Sequence, residues 1–236
     1  MNELEQQASS TLQPSARTGW RIADAAIVGV VGYAASVLFL LLSMFVVYST
    51  PSLHSLRFSQ LDTSFYALVG FVGGILFAGP LVMWFVRKRK FSSLAQSIYW
   101  ECSNRIVGWA SLAGFVSGIA YSLAKGTLAG RGYQAQPVEY IAAFVVLGGL
   151  AQPAAEEIYF RGVLFAAFAR KFGDCPSIVV VTLLFCVSHP QHWFTVLPAA
   201  VLLGAVRLYT GSVKACFVCH AAYNLSLVLF MLPIRN

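Results

Sequence analysis

Charge is what this sequence has least of. Only 11% of its 236 residues are charged, nine of them acidic, against 58% that are hydrophobic, where a soluble domain has roughly 25% charged residues. A mean hydropathy of +0.71 agrees, and together these values exclude a water-soluble globule. Cysteine is sparse and odd in number, with five at positions 102, 175, 186, 216 and 219, so no disulfide framework is implied. No H-E-x-x-H helix of a zinc protease and no G-x-S-x-G nucleophile turn occurs. Internal repeats and a second soluble domain are missing too. So is a cleavable signal peptide: the first apolar run is too long, lacks a small-residue cleavage site and reads as an anchor. The net charge of +7 is distributed between the apolar runs instead of forming one patch, which argues against nucleic acid as a partner.

What the chain has instead is a series of apolar runs: Ile22 to Tyr48, Phe65 to Val86, Ile106 to Ala124, Val138 to about Ala155, Ile178 to Val187, Phe194 to Val206 and Ala215 to Leu232. They predict an all-α polytopic membrane protein, a bundle of about seven to eight transmembrane helices in the lipid bilayer. Several runs fall short of the ~20 residues a straight span needs, so the last four are expected to tilt, kink or break at Pro153, Pro190 and Pro198. The sequence divides into a polar, mobile cytosolic tail at 1–20, N-terminal transmembrane helices at 21–137 and motif-bearing transmembrane helices at 138–236, one membrane domain overall.

Basic residues report topology. With seven spans, eleven of them (Arg17, Arg21, Arg87, Lys88, Arg89, Lys90, Arg105, Arg170, Lys171, Arg207 and Lys214) fall on one side, and four (Arg57, Lys125, Arg131 and Arg235) on the other. The positive-inside rule then puts the N-terminus in the cytoplasm. Arg161 is left over, inside the fourth run.

Ionisable groups in hydrocarbon cost on the order of 2.5 to 3.5 kcal/mol by insertion scales, so each needs a partner or a purpose. Only Glu156 and Glu157, among the acidic residues, lie between two long apolar stretches, in VVLGGLAQPAAEEIYFRGVLFAAF. Glu157 and Arg161 are spaced i, i+4 and can neutralise each other, whereas Glu156 points about 100° away and is free for chemistry. His189 ends the run VVVTLLFCVSHPQHW, one helical turn after Phe185. At ~1.5 Å per residue, Glu156 lies roughly 21 Å from the basic loop Arg170–Lys171, and His189 roughly 20 Å from Pro176, a matching depth. His192, beside Trp193, is expected at the outer interface. His220 and Asn224 share a face of the last helix, but counting from Lys214 puts His220 only about 9 Å deep. A deeply placed turn at Thr210-Gly211-Ser212 or a strong helix tilt closes that gap.

A carboxylate, two imidazoles and an amide suit activation of water for attack on a carbonyl. The same groups also suit a proton-coupled transporter, or a binding, immunity or scaffold protein that holds a peptide or prenyl chain without cutting it. The stretch CFVCHAAYN, Cys216 to Asn224, reads either as the C-x-x-C-H of a haem attachment or as H-x-x-x-N. Haem attachment needs an exposed site on the outer side, and Cys216 follows Lys214 on the inner side into an apolar helix, so no haem is expected. Only three local ligands, Cys216, Cys219 and His220, argue against a metal site there, and the two cysteines read as small packing residues.

In chain order, E-E-x-x-x-R at Glu156 to Arg161, F-x-x-x-H at Phe185 to His189 and H-x-x-x-N at His220 to Asn224 resemble the three motifs of the CAAX protease and bacteriocin-processing family of intramembrane proteases. The resemblance covers roughly Val138 to Leu232. It implies a bundle around a conical central cavity open to the cytosol, and endoproteolysis of prenylated proteins or other peptide substrates. It further implies Glu156 as water-activating base, His189 as its partner, His220 with Asn224 as oxyanion site, and Glu157 with Arg161 as a brace, with Phe185 in support. The family is often labelled metalloprotease, while a glutamate-dependent mechanism requiring no cofactor is also proposed for it. Both stay open here, because Glu156, His189 and His220 can ligate zinc with a free fourth position. A small chain of this kind suits a prokaryotic cell membrane.

Overall fold

The computed structural model of the chain describes residues 19–49, 63–129, 141–142, 144–189 and 193–230. All regular structure among them is helical, as the apolar runs require where backbone groups must be satisfied inside lipid. The chain divides into two compact units, Ile22–Ser92 and, separately, Ser93–Asn236 together with the segment ending at Arg21.

In the first unit, α1 (Ile22–Ser49) and α2 (Thr63–Lys88) pack along their lengths. A Cβ on Gly73 would overlap the Phe39 ring, so the glycine permits the close approach. At one end Arg89 donates from Nε and Nη2 to the two oxygens of Asp24, at 2.9 and 2.8 Å. This bond raises the proton affinity of the guanidinium above its ordinary value.

The second unit begins with the short helix α3 (Leu94–Ile98), which Ser93 caps by accepting from the Gln96 amide and Tyr99 ends in a left-handed conformation at φ 56°. Helix α4 (Asn104–Ala129) follows. The motif segment is a broken rod: π-helix at Phe144–Ala151, α5 (Gln152–Glu157), π-helix again at Ile158–Leu164, then α6 (Phe165–Phe172). Three further helices complete the unit: α7 (Asp174–Val187), α8 (Trp193–Thr210) and α9 (Val213–Leu227). The unit boundary at 92/93 differs from the sequence boundary at 137/138, because α4 lies along α9. Their contact uses a G-x-x-x-G pair: a Cβ on Gly114 would meet the Cys219 carbonyl, and one on Gly118 the Tyr223 carbonyl and the Ser226 hydroxyl. Lipid supplies no hydrophobic force between helices, so such backbone proximity is what holds them.

Several expectations change. Four described helices are long and apolar enough to cross a membrane (Ile22–Val46, Gly70–Lys88, Asn104–Ala124 and Val213–Phe230), while Asp174–Val187 and Val196–Thr210 are shorter apolar helices. Seven or eight full spans therefore do not appear among the described residues: the 14 residues of α7 reach only ~21 Å, against a hydrocarbon core of ~30 Å. Pro198 does not break α8, which runs through it; at the sixth residue of the helix it removes one hydrogen bond near the start. Pro190 and His192 lie outside the described residues, as does the tail up to residue 18. The end of that tail is docked: Trp20 is fully buried and its indole N–H donates to the Ser97 carbonyl at 3.1 Å. Arg207, counted above as a loop charge, is 2% exposed.

The short α3 segment also explains the depth of His220. Val213 donates its amide to the Tyr99 carbonyl at 2.9 Å, and the Ser212 hydroxyl donates to the Trp100 carbonyl at 3.3 Å. The turn before α9 is thus covered on one side, with Ser212 and Val213 almost fully buried and Gly211 exposed, so counting from Lys214 does not measure depth from a free helix end.

Replacing Gly118 by Val forces a branched side chain onto the α9 backbone and is expected to cost about 1–3 kcal/mol through overpacking. Thermal unfolding in detergent micelles reads this as a lowered midpoint, with the matched change at Gly108, where a Cβ meets open space, leaving the midpoint in place.

Candidate active site

Glu156 and Glu157 are the last two residues of α5, at the junction with the second π-helical stretch. Pi-type turns recur at functional sites because the wider turn re-aims side chains. Here the junction sends the two carboxylates to different partners, as their ~100° separation dictates. Glu157 is fully buried, and its Oε1 accepts from Arg161 Nη1 at 3.1 Å and from His220 Nδ1 at 2.9 Å. Because one oxygen is shared, the Arg161 pair is single-pronged, and Glu157 Oε2 and Arg161 Nε have no hydrogen-bond partner among the described residues. Arg161 is also fully buried; its Nη2 donates to the Ala200 carbonyl at 3.4 Å, and its guanidinium carbon lies 4.3 Å from the centroid of the Phe185 ring.

Glu156 sits between two histidines. Its Oε1 is 3.9 Å from His189 Nε2 and its Oε2 is 3.9 Å from His220 Nε2. These separations are too long for direct hydrogen bonds and suit one intervening water-sized group. Both rings are anchored from behind through Nδ1, His189 on the Phe185 carbonyl at 2.8 Å and His220 on Glu157. Carbonyl and ionised carboxylate oxygens only accept, so Nδ1 carries the proton in each ring and Nε2 faces Glu156. Phe185 joins the two: its ring lies 4.8 Å from that of His189 and 6.0 Å, edge to face, from that of His220.

Four of the residues singled out from sequence, Glu156, Glu157, His189 and His220, are thus brought together around one point, with Arg161 and Phe185 behind them. Asn224 is placed differently: its Nδ2 donates to the Gly148 carbonyl at 2.8 Å. That carbonyl lies in the first π-helical stretch, five residues before Pro153, which has no N–H to offer it. The amide of Asn224 donates to it with one of its two N–H groups and has the second to offer. Gln152, which sequence reading passed over, donates from Nε2 to Glu156 Oε1 at 2.8 Å. Its signal was its place one turn before Glu156 on the same face.

As placed, Glu156, His189 and His220 are not a zinc ligand set. Bonds of about 2.0–2.2 Å to a tetrahedral ion put donors roughly 3.3 Å apart; both Glu156–histidine separations here are 3.9 Å. Among the described residues no group of three His, Cys, Asp or Glu side chains is arranged to hold a metal ion. Cys216 and Cys219 are fully buried, and the Cys216 thiol donates to the carbonyls of Ser212 and Leu203. Beside His220 a cleft lined by Ala199, Leu202, Leu203, Cys219 and Tyr223 has a volume of about 10 Å³, space for about one water molecule.

Comparison with known proteins adds one finding. No curated protein and no solved structure is similar enough to count as a match. The family model described as type II CAAX prenyl endopeptidase Rce1-like matches residues 137–226. That stretch contains all three motifs, both histidines that flank Glu156, and the Arg161 and Asn224 bonds that fix their backbone. Residues 137–226 of this integral membrane protein are therefore similar to the type II CAAX prenyl endopeptidase Rce1-like family.

Proposed function

We propose that the protein cleaves prenylated proteins or other peptides by attack of a water molecule activated by Glu156, with no metal. The observation that supports this most directly is the position of Glu156 between two outward-facing Nε2 atoms, each 3.9 Å from a different carboxylate oxygen. Water bound there gives one proton to Glu156 while its other hydrogen is held by His189 Nε2, and its oxygen adds to the scissile carbonyl carbon. The carbonyl electrons move to oxygen, and this oxyanion is met by His220 Nε2–H and the second N–H of Asn224. His220 already has a proton on Nδ1 toward Glu157, so it donates from Nε2 as an imidazolium, with Glu157 as counter-ion. Glu156 then passes its proton to the amine nitrogen as the C–N bond breaks, leaving a carboxylic acid and a free amine. The basic run Arg87 to Lys90 at the end of α2, the second of two antiparallel helices, supports a cytoplasmic N-terminus.

Purified protein and a panel of quenched peptides, farnesylated and unmodified, test the reaction. Glu156→Gln is expected to fold normally and lose cleavage by about 10²–10⁴-fold; undiminished turnover in this variant sinks the mechanism. Substrate-driven proton movement in proteoliposomes without cleavage favours a transporter instead.

Arg161→Ala makes the opposite forecast. It leaves the buried Glu157 carboxylate without its guanidinium and is expected to cost about 3–5 kcal/mol of stability, seen as a lowered unfolding midpoint before any kinetic comparison. Elemental analysis bears on the remaining choice: the purified enzyme is expected to stay active after exhaustive chelation, and stoichiometric zinc removed together with activity refutes the metal-free reaction.

A further inference from the structure

We infer that Arg207 is a positioning residue of the active site, keeping the segment of Glu156 and Glu157 in register with the helix of His220 and Asn224. The inference rests on the hydrolytic reading of that site. Arg207 belongs to none of the three motifs, and by sequence it is one more basic residue at a helix end. In the structure it is 2% exposed, and its hydrogen bonds go to carbonyls instead of a carboxylate. Nε donates to the Arg161 carbonyl at 3.0 Å, and Nη1 donates to the Gly211 carbonyl. The guanidinium also lies over two rings, 4.8 Å from the Phe165 centroid and 5.9 Å from that of Tyr99.

The two carbonyls lie on different segments: Arg161 is in the π-helical stretch directly after the acid pair, and Gly211 directly follows α8, four residues after Arg207 and just before the Ser212 cap of α9, the helix of His220. The bond to Arg161 is one of a reciprocal pair, because Arg161 in turn donates from Nη2 to the Ala200 carbonyl of α8, the helix that holds Arg207. Each segment therefore sends a guanidinium to the other's backbone, and only Arg207 extends the tie to the turn before α9. The rigid fork of donors is what allows one side chain to serve two carbonyls on different elements; an ammonium of similar reach presents a single point. Arg207 has no hydrogen bond or ion pair to Glu156, His189 or His220 in the structure, so it acts through backbone. A displacement of about 1 Å in such a site costs on the order of 10²-fold in rate, and the paired 3.9 Å separations around Glu156 leave little room for one.

The test compares wild type with Arg207→Met, which keeps length and apolar bulk, and Arg207→Lys, which keeps charge but not the fork. In detergent micelles, with farnesylated and unmodified quenched peptides as probes, Arg207→Met is expected to lose kcat by about tenfold to a hundredfold with KM within about twofold. Arg207→Lys is expected to recover part of kcat, and it carries the comparison if the methionine variant does not fold. A second readout is independent of turnover. With nitrogen-labelled histidine, the Nδ1 proton that His220 shares with Glu157 gives a resonance expected to shift or vanish in Arg207→Met while helix content is retained. Folded variants that keep both the resonance and kcat overturn the inference, as does a raised KM with kcat unchanged. If the wild type cleaves neither peptide, the endopeptidase reading fails, and the resonance alone decides the placement of Arg207.

Discussion

Everything in the second unit is arranged around one buried oxygen. Glu157 Oε1 receives both Arg161 and His220 in a place with no solvent, and withdrawing a carboxylate and a guanidinium from water costs several kcal/mol per ion even after relaxation. Attraction offsets that cost only when the geometry is held fixed, so the surroundings must supply rigidity. The Ala200 carbonyl accepts from Arg161 Nη2, the Phe185 ring lies against the guanidinium, and the α3 segment covers the turn before α9. Once Glu157 is fixed, His220 has no freedom to rotate, and the face it turns toward Glu156 is determined. The adjacent acid is then the one from which both histidines stand off, at 3.9 Å instead of 2.9 Å, while Gln152 holds it at 2.8 Å. One carboxylate sets an imidazole, and its neighbour stands clear of both rings.

The hydrophobic runs made the helices legible, since a run of apolar residues in lipid has few other structures open to it. Seven runs were read, and the described residues of each fall on helix. The polar motif residues were legible for the converse reason, since Glu156, His189 and His220 are expensive where they are. What escaped was whatever depended on the middle of the chain being in contact with the end. The stretch from Leu94 to Trp100 has no hydropathy signal, and the bonds of its Ser97, Tyr99 and Trp100 carbonyls to Trp20, Val213 and Ser212 show it to be part of the core. Arg207 was misread because a cation near a helix end is ordinarily solvated. Gly114 and Gly118 are spaced for close helix contact, yet the partner helix cannot be named from the spacing. The depth of His220 failed for the same reason, since Lys214 was used as a ruler without knowledge of the segment that covers the turn before it. The Asn224 bond needed three separate facts, namely the π-type pairing, the proline and the opposing helix.

That last contact has a consequence for how the unit comes apart. An ordinary helix completes its own hydrogen-bond ladder and can in principle melt alone. The stretch before Pro153 is tied elsewhere as well, because its Gly148 carbonyl accepts from the side chain of Asn224 on α9. α9 in turn is pressed against α4 at Gly114 and Gly118. Local fraying of the motif segment therefore breaks that bond and frees an amide on another helix in a nonpolar surrounding. The three segments share these contacts, so they belong to a single cooperative unit of opening. Hydrogen exchange there should report one common free energy across all three instead of a gradient along each.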